Sequence, residues 1–452
     1  MYGVHGCQEY MYEKYGREHG VVRTKTLAGK TMLHIFDHAD LRFIYQNENA
    51  ETIGSKLRSQ DEFWIEKAGD GADNLPYAMT SEGEKWQRTR KMLHPGINSD
   101  AVFKYEGVVY TAARDAVDQV EHYEGPDMAK WSTHATFDMF CSLSIGKSRH
   151  TTDPNCSDPM TEILSLEKSA LDLAMQIEFQ PSILLPRDSR QKLRDAYNRI
   201  IEVTSPAIQE LFSRDDLPNC WFKDLRDEQD FSLTQLEHLM SQLFTAAIGT
   251  TKVILQWMLI SLARHPEEQA KVYEEIASNL AHDAAYSKSV KMPYLEAFIR
   301  ETTRVYPTVA GVGMRSLTYD IVLPSSRIHV PAGTTMLMNT LNASRDVTYN
   351  ADADQFKPDR FLRENIRARK GCPMAAKMDS PMTKDNFGSG GHSCLGRRAA
   401  ELEIRMVVCE LLKRYELVLD PTERSAPVSL DRFSTLRVPA TFPNIRLRRR
   451  SA

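Results

Sequence analysis

Apolar residues recur at helical spacing over most of the chain beyond residue 80, as in amphipathic helices. The longest such pattern predicts a helix at about 233–264. Ser232 and Gln235 provide a capping box at its start, and His265 with Pro266 ends it. One apolar face continues through Leu236, Met240, Leu243, Ala247, Ile254 and Met258. At about 1.5 Å per residue this helix is roughly 48 Å long, enough to cross a whole domain.

Shorter patterns complete the predicted fold. They indicate helices at 8–19, 163–174, 189–212 and 396–415, and strands at 32–36, 320–324 and 327–338. The predicted fold class is therefore mainly α with small β-sheets, arranged as a single domain over residues 1–452. An apolar loop lies at 181–186, and its Ile183, Leu184 and Leu185 are predicted either to contact a membrane surface or to be buried.

Composition and charge are those of an ordinary globular protein. The chain has 452 residues, 42% of them hydrophobic, and a net charge of −4, which excludes a nucleic-acid-binding footprint over the whole chain. A basic cluster, Arg446 with 448–450, predicts a solvated tail, with contact to anionic lipid as the alternative. No run approaches the roughly 20 apolar residues of a membrane span. The first residues resemble neither a signal nor a transit peptide, so we expect a targeting or anchor segment to be absent from this sequence.

Cys394 stands out among the seven cysteines, which otherwise indicate neither a disulfide framework nor a zinc site and fit a reducing compartment. It follows Gly388, Gly390 and Gly391, which allow the backbone to approach a flat ligand closely. It also precedes a predicted helix, whose N-terminus favours a thiolate. His392, nearby, is suited to a hydrogen bond with a carboxylate. The pattern predicts a thiolate ligand to haem iron.

The segment 387–396, FGSGGHSCLG, resembles the haem-binding loop of the cytochrome P450 family. The family pattern Phe-x-x-Gly-x-[Arg/His]-x-Cys-x-Gly is complete at Phe387, Gly390, His392, Cys394 and Gly396. The resemblance implies the cytochrome P450 fold, with the helix at about 233–264 over the haem. It also implies haem b (iron protoporphyrin IX) as the cofactor and Cys394 as its axial thiolate.

A second signature of that family is an ion network. Glu301 and Arg304 match the pattern Glu-x-x-Arg, which alone is weak because such ion pairs are common on helices. Arg360 matches the third member of the family's Glu–Arg–Arg network. The resemblance implies that this network locks the haem loop.

Further matches concern the haem propionates. Trp86 and Arg90 match the pattern Trp-x-x-x-Arg, which places the two side chains one helical turn apart. The resemblance implies that they contact a propionate, and an amphipathic surface helix is the alternative. Arg315 resembles another propionate partner.

The resemblance covers about residues 8–445 and is strongest to the mitochondrial steroid and vitamin D hydroxylases. The stretches that carry it are 255–258, 263–268, 307–313 and 396–403. It implies a lipophilic, sterol-like substrate and an acidic, adrenodoxin-like ferredoxin as electron donor. It also implies association with the inner mitochondrial membrane, with the endoplasmic reticulum or cytoplasm as the alternative. Docking of the ferredoxin is assigned by resemblance to Arg300, Arg397 and Arg398, for which ordinary solvated arginines are the equal alternative.

The chain departs from the family in the segment 246–251, AAIGTT, on the long predicted helix. Thr250 and Thr251 match the family's oxygen-activating pattern, but Gly249 stands where the family has Asp or Glu. A lost acid costs about 10²–10⁴-fold in rate unless another group replaces it. A monooxygenase remains the preferred interpretation. The departure supports two alternatives: a P450-type isomerase or peroxygenase that acts on lipid hydroperoxides without an electron donor, and a non-catalytic haem-binding protein.

Substrate contacts are expected, by resemblance, from several separate segments. These are 62–80, 173–180, 244–251, 308–313 and 433–435. Their residues are aliphatic or aromatic with few charges, which suits an apolar ligand. Plain core packing is the alternative for each of them.

Overall fold

A computed structural model gives the fold. The residues that it describes are 4–25, 29, 31–48, 52, 63–64, 66–67, 83–98, 100–180, 182–229, 231–281, 285–309, 313–347, 352–380, 387–431, 434 and 436–451. Their backbone is mainly helical, with short strands near both ends of the sequence. The predicted fold class, mainly α with small β-sheets, is therefore confirmed.

The α-helices of the described part follow one another with short connections. In chain order they are α1 (Val4–Met11), α2 (His38–Gln46), α3 (Gly83–Ile97), α4 (Glu106–Asp118), α5 (Met128–Ile145), α6 (Ile163–Phe179), α7 (Ser189–Phe212), α8 (Trp221–Gln229), α9 (Leu233–Arg264), α10 (Pro266–Asn279), α11 (Pro293–Val305), α12 (Thr340–Ser344), α13 (Arg363–Ala368), α14 (Pro373–Met378), α15 (Arg397–Arg414) and α16 (Pro421–Ser425). A π-helical turn, Tyr12–Gly16, and a last α-helical turn, Arg17–His19, extend α1. Short 3-10 turns occupy Ala101–Tyr105, Val120–His122, Gly125–Asp127, Pro159–Glu162, Ser182–Leu184 and Pro358–Phe361.

The helix α9 matches its prediction at both ends. The Ser232 amide donates to Gln235 Oε1 at 2.8 Å and the Gln235 amide donates to Ser232 Oγ at 3.3 Å, so the predicted capping box forms. Most of α9 is buried, because it packs against α5, α6, α7, α11 and α15. By length and composition α9 is also able to cross a membrane, but 78% of its most apolar window is buried inside the protein, as in a core helix.

The strands form small sheets beside the helices. They are β1 (Val21–Lys25), β2 (Thr31–Ile35), β3 (Gly313–Arg315), β4 (Ile321–Val322), β5 (His329–Val330), β6 (Thr335–Met338), β7 (Tyr415–Val418) and β8 (Arg446–Arg449). One sheet has the order β1-β2-β6-β3, in which the β2–β6 pair is parallel and its neighbours are antiparallel. The strands β4 and β5 form an antiparallel pair, and so do β7 and β8. Segments far apart in the sequence are thereby joined.

The strand β8 corrects the prediction of a basic tail in one respect: the side chains of Arg446, Arg448 and Arg449 are solvated, being 53%, 65% and 75% exposed, but they belong to a strand. Its backbone pairs with β7, directly after α15. Arg446 lies 2.5 Å from Asp420, and Arg449 Nε lies 2.6 Å from Glu121. The cationic cluster is therefore an ordered strand whose charges are matched by acidic neighbours.

The region around α6 and α7 differs from its prediction in two respects. The helix α6 runs to Phe179 and not to residue 174, whereas α7 has the predicted limits even though it contains Pro206. In the loop between them Ile183 is 90% exposed and Leu184 is 62% exposed. The alternative in which this loop is buried is wrong, and contact with a membrane stays a prediction.

The main core surrounds α9 and fixes its position. Trp257 of α9 is fully buried and stacks on Tyr306, with ring centroids 4.0 Å apart and planes within 1° of parallel. Its indole Nε1 donates to the Arg437 carbonyl at 2.7 Å. These contacts hold α9 to the end of α11 and to the segment 436–439, so residues earlier on α9 are displayed from a rigid element.

Candidate functional site

The loop before α15 is wound so that Cys394 lies at its end. The Cys394 amide donates to the Phe387 carbonyl at 2.7 Å, which closes the loop. Gly388 and Gly390 adopt φ values of 73° and 76°, a left-handed conformation that favours glycine. Gly396 precedes the first residue of α15. The sequence-predicted glycines therefore shape the turn that presents the thiol.

The Cys394 side chain is both accessible and surrounded by protein. It is exposed, yet partial desolvation by the surrounding protein raises the pKa of its thiol. The amides of Gly396 and Arg397 and the Arg90 guanidinium oppose that shift, because each favours the thiolate. The groups around the thiol thus favour its ionised form, which suits a metal ligand, and the role of Cys394 as the axial ligand stays a prediction.

A set of donors beside this loop is suited to a carboxylate. Trp86 stacks on His392, with ring centroids 4.0 Å apart and planes inclined by 18°. Arg90, one turn along α3 from Trp86, donates through Nη2 to Ser393 Oγ at 3.3 Å. The described residues give neither ring nitrogen of His392 a hydrogen bond, although both nitrogens are buried. Glu48 lies within 3.5 Å of Nδ1, so Nε2 is the buried ring nitrogen that lacks a partner among the described residues and could meet a further acceptor.

Glu48 already places one carboxylate in this set. It forms a buried ion pair with Arg315, and its Oε2 lies 3.5 Å from His392 Nδ1 and 3.4 Å from the His392 amide. Burial alone would raise the pKa of Glu48, but His392 and Arg315 hold that pKa below its ordinary value. A Cβ at Gly390 would collide with the Glu48 carboxylate. The donors thus fit carboxylate groups such as haem propionates, and sequence reasoning missed Glu48 because no motif contains it.

The network of Glu301, Arg304 and Arg360 forms as the sequence predicts. Arg304 binds the Glu301 carboxylate through two hydrogen bonds of 2.8 Å, and Arg360 Nε donates to it at 3.1 Å. The Lys357 amide donates to the same carboxylate at 2.7 Å, and Arg304 donates to the Ala353 carbonyl at 2.9 Å. The described contacts therefore tie α11 to the segment 352–360. The lock on the haem loop implied by resemblance stays a prediction.

The oxygen-activating segment lies in the middle of α9, where one face is accessible. Ala246, Ala247 and Thr250 are partly exposed while Gly249 and Thr251 are buried. Thr250 Oγ1 donates to the Ala246 carbonyl at 2.9 Å. The accessible residues share one side of the helix, because they are spaced by about one turn. The segment therefore presents one partly accessible face in the middle of a mostly buried helix.

An acid that sequence reasoning missed lies beside Gly249. Glu167 of α6 is 1% exposed, and a Cβ at Gly249 would collide with its Oε1. Lys252 Nζ lies 3.3 Å from Glu167 Oε2. The available signal was periodicity: Glu167 stands on the stripe formed by Ile163 and Ala170, so it was the charged member of an apolar helix face.

The candidate docking arginines lie on and near the first turn of α15. Arg397 Nε and Arg398 Nη1 lie 2.9 Å and 3.0 Å from the Glu401 carboxylate, and their side chains are 32% and 46% exposed. Arg300 of α11 is partly exposed. The arginines are available at the surface, but Glu401 offsets part of their charge.

The candidate substrate segments are only partly described. Phe63 and Trp64 are buried and contact Tyr197 of α7, with ring centroids 5.1 Å and 5.6 Å apart. Thr308 and Ser434 are buried as well. Residues 310–312, 433 and 435, and most of 62–80, lie outside the described residues. The aromatic contacts fit plain packing, and a role in substrate binding stays a prediction.

A separate cavity of about 770 Å³ lies between α1 and the segment 428–437. Trp257, Tyr306 and Arg437 are among its lining residues, whereas Cys394 and Thr250 are not.

Comparison with known proteins gives one consistent family. A family model described as cytochrome P450 matches residues 4–442. The chain is similar to cytochrome P450 CYP12A2 of Musca domestica, with 26% identity over 375 residues, 76% of this chain and 68% of that protein. It is also similar to cytochrome P450 monooxygenase 91 of Postia placenta, with 26% identity over 472 residues, 91% of this chain and 83% of that protein.

A mitochondrial relative and a solved structure agree with that result. The mitochondrial 1,25-dihydroxyvitamin D(3) 24-hydroxylase of Mus musculus is 24% identical over 433 residues, 91% of this chain and 79% of that protein. The crystal structure of the cytochrome P450DA heme domain superposes with a TM-score of 0.79 at 17% identity, covering 99% of this chain and 94% of that chain. The likeness to this crystal structure establishes the fold.

Proposed function

The chain belongs to the cytochrome P450 family, and from that premise we propose that it hydroxylates a lipophilic, sterol-like substrate with electrons from a ferredoxin. Membership establishes an oxygenase whose cofactor is haem b bound through a cysteine thiolate. The haem supplies the iron at which dioxygen is activated. We also propose that residues 1–452 act as a single cytochrome P450 domain.

The observation that carries the assignment of the site is the accessible, desolvated thiol of Cys394. We propose Cys394 as the axial ligand, with Phe387, Gly388, Gly390 and Gly396 shaping the loop under the haem. Propionates would be held by the donors that converge beside it, namely Trp86, Arg90, Arg315 and His392. The network of Glu301, Arg304 and Arg360 would stabilise the haem-binding loop.

The spectrum of the reduced, carbon monoxide-bound holoprotein tests this ligand. A thiolate ligand gives a red-shifted Soret band. We expect that band in the wild type and in Cys372→Ser, which removes an exposed cysteine elsewhere. Cys394→Ser should lose the band. A red-shifted band in Cys394→Ser would refute the assignment.

The proposed electron donor and location rest on relatives and surface charge. Similar proteins include several named mitochondrial, among them the vitamin D 24-hydroxylase. We propose association with the inner mitochondrial membrane, to which the exposed Ile183 and Leu184 would contribute apolar contact. Arg300, Arg397 and Arg398 would bind an acidic, adrenodoxin-like ferredoxin.

Reconstitution with a ferredoxin, its reductase and a panel of sterols tests the donor and the substrate class. Reversing the charge of Arg397 and Arg398 to Glu should raise the KM for ferredoxin. The matched control replaces Arg190 and Lys192 of α7 by Glu, which changes the net charge by the same amount on another helix. Equal KM values in the two double variants would contradict docking at α15. A wild type that turns over none of the sterols would contradict the substrate class.

Gly249 favours one second candidate, an isomerase or peroxygenase that acts on lipid hydroperoxides. Such an enzyme takes oxygen that is already reduced and needs no acid on α9 for dioxygen. It should convert hydroperoxides without any electron donor. The buried carboxylate of Glu167 beside Gly249 supports the monooxygenase instead.

A further inference from the structure

We propose that Glu167 of α6 supplies the proton-delivering acid that position 249 of α9 lacks, and that Lys252 positions it. This inference rests on the proposed monooxygenase function. In this proposal the carboxylate comes from a neighbouring helix and lies against Gly249, the residue before Thr250.

The first support is steric. Gly249 is buried in the middle of α9, and the volume of its missing Cβ is occupied by Glu167 Oε1. Any larger residue at 249 would displace that oxygen. The carboxylate therefore reaches the helix at the residue before Thr250, where a side chain of α9 would otherwise begin.

The second support is the bonding of the two carboxylate oxygens. Oε2 is engaged by Lys252 Nζ at 3.3 Å, whereas the described residues give Oε1 no hydrogen bond although it is buried. A buried, unpaired carboxylate oxygen is costly, so its presence calls for a function. Lys252 follows Gly249 by about one turn, so it approaches the carboxylate from the same helix.

The third support is the electrostatic setting of the acid. Burial raises the pKa of Glu167, and Asp172 adds to the shift, while Lys252 and Lys168 oppose it. The net pKa is above the ordinary value, which brings the group closer to the range of an efficient proton donor. The Oε1–H bond would break as this proton passes to the Thr250 hydroxyl, directly or through water, while the hydroxyl's own proton would pass on to the dioxygen that is being reduced. Solvent would return a proton to the carboxylate, and the ferredoxin would supply the electrons.

The alternative is that the ion pair of Glu167 with Lys252 is purely structural and only joins α6 to α9. In that case Glu167→Gln and Lys252→Gln should reduce ferredoxin-supported turnover equally. Our proposal expects Glu167→Gln to lower kcat at least about 10²-fold with little change in the KM for substrate. Lys252→Gln should lower kcat by less than tenfold, because the acid remains. Glu202→Gln on α7, an exposed glutamate, controls for the substitution itself.

Two further measurements separate proton delivery from structural damage. Turnover supported by added hydrogen peroxide should be similar in Glu167→Gln and the wild type, because peroxide brings its own protons. The double variant Glu167→Ala/Gly249→Glu should have a kcat at least tenfold higher than that of Glu167→Ala alone. The proposal is overturned if Glu167→Gln loses peroxide-supported turnover as well and the added Gly249→Glu restores no activity.

A thermal double-mutant cycle tests the placement without any turnover. Gly249→Ala alone should lower the unfolding midpoint, because its Cβ strikes Glu167 Oε1. In the Glu167→Ala background the same change should be neutral or stabilising, since alanine is the better helix former. Additive effects would overturn the placement. If the wild type shows no ferredoxin-supported turnover, the proposed function fails; if the wild type is active and Glu167→Gln equals it, only this inference fails.

Discussion

Removing the Glu301 carboxylate tests whether the buried ion network holds α11 to the segment 352–360. In Glu301→Ala, Arg304 and Arg360 lose the carboxylate that lies between them, and the Lys357 amide loses its acceptor. The side chains of both arginines are at least nine-tenths buried. Removing one partner of a buried ion pair costs about 3–5 kcal/mol, because the remaining charge is left without compensation.

The expected change in melting temperature follows from this free-energy cost and the length of the chain. The unfolding entropy is about 2.1 cal/mol/K per residue, so 452 residues give about 0.95 kcal/mol/K. A loss of about 3–5 kcal/mol therefore lowers the thermal midpoint by about 3–5 °C. Far-UV circular dichroism and the Soret band of the holoprotein, followed in parallel, measure the midpoint and the loss of haem.

Glu296→Ala is the matched control, because Glu296 lies on the same helix and pairs with Arg405 at 3.7 Å. Its side chain is 43% exposed, and exposed ion pairs contribute only about 0–1 kcal/mol. The control should shift the midpoint by no more than about 1 °C. Equal shifts in the two variants, or a shift of less than about 1 °C in Glu301→Ala, would refute the reasoning.

Other predictions concern pH, the haem loop and the membrane. Burial raises the pKa of Glu403 to about 8 from 4.5, so the folded state keeps a proton that the unfolded state releases, and stability falls as pH rises through that range. Glu403→Gln should have the same thermal midpoint as the wild type near pH 4.5 and a higher midpoint above about pH 8. A constant difference between the two midpoints across this pH range would contradict the prediction. Gly390→Ala should retain less haem on purification than Gly388→Ala, because both have a positive φ but only the first Cβ meets a carboxylate. Ile183→Ser should weaken sedimentation with lipid vesicles more than Val322→Ser, a control that is 53% exposed.

Local signals in the sequence predicted the parts of the site that lie within one segment. The capping box fixed the start of α9 because its two partners are close in the chain. The loop with Cys394 was found because its glycines and its following helix are contiguous.

The parts that sequence reasoning missed are contacts between distant segments. Glu167 meets Gly249, and Glu48 meets Arg315, only after helices and strands have packed. The strand β8 was missed because its arginines show no apolar alternation, and its partner β7 supplies the pairing.

The position of Glu48 has a consequence for how strongly the cofactor's carboxylates would be held. Arg315 is buried beside an internal carboxylate, so the protein without haem already carries the counter-ion that this cation needs. A haem propionate that binds Arg315 would share this cation with Glu48, so its electrostatic gain would be smaller than beside an arginine without a counter-ion.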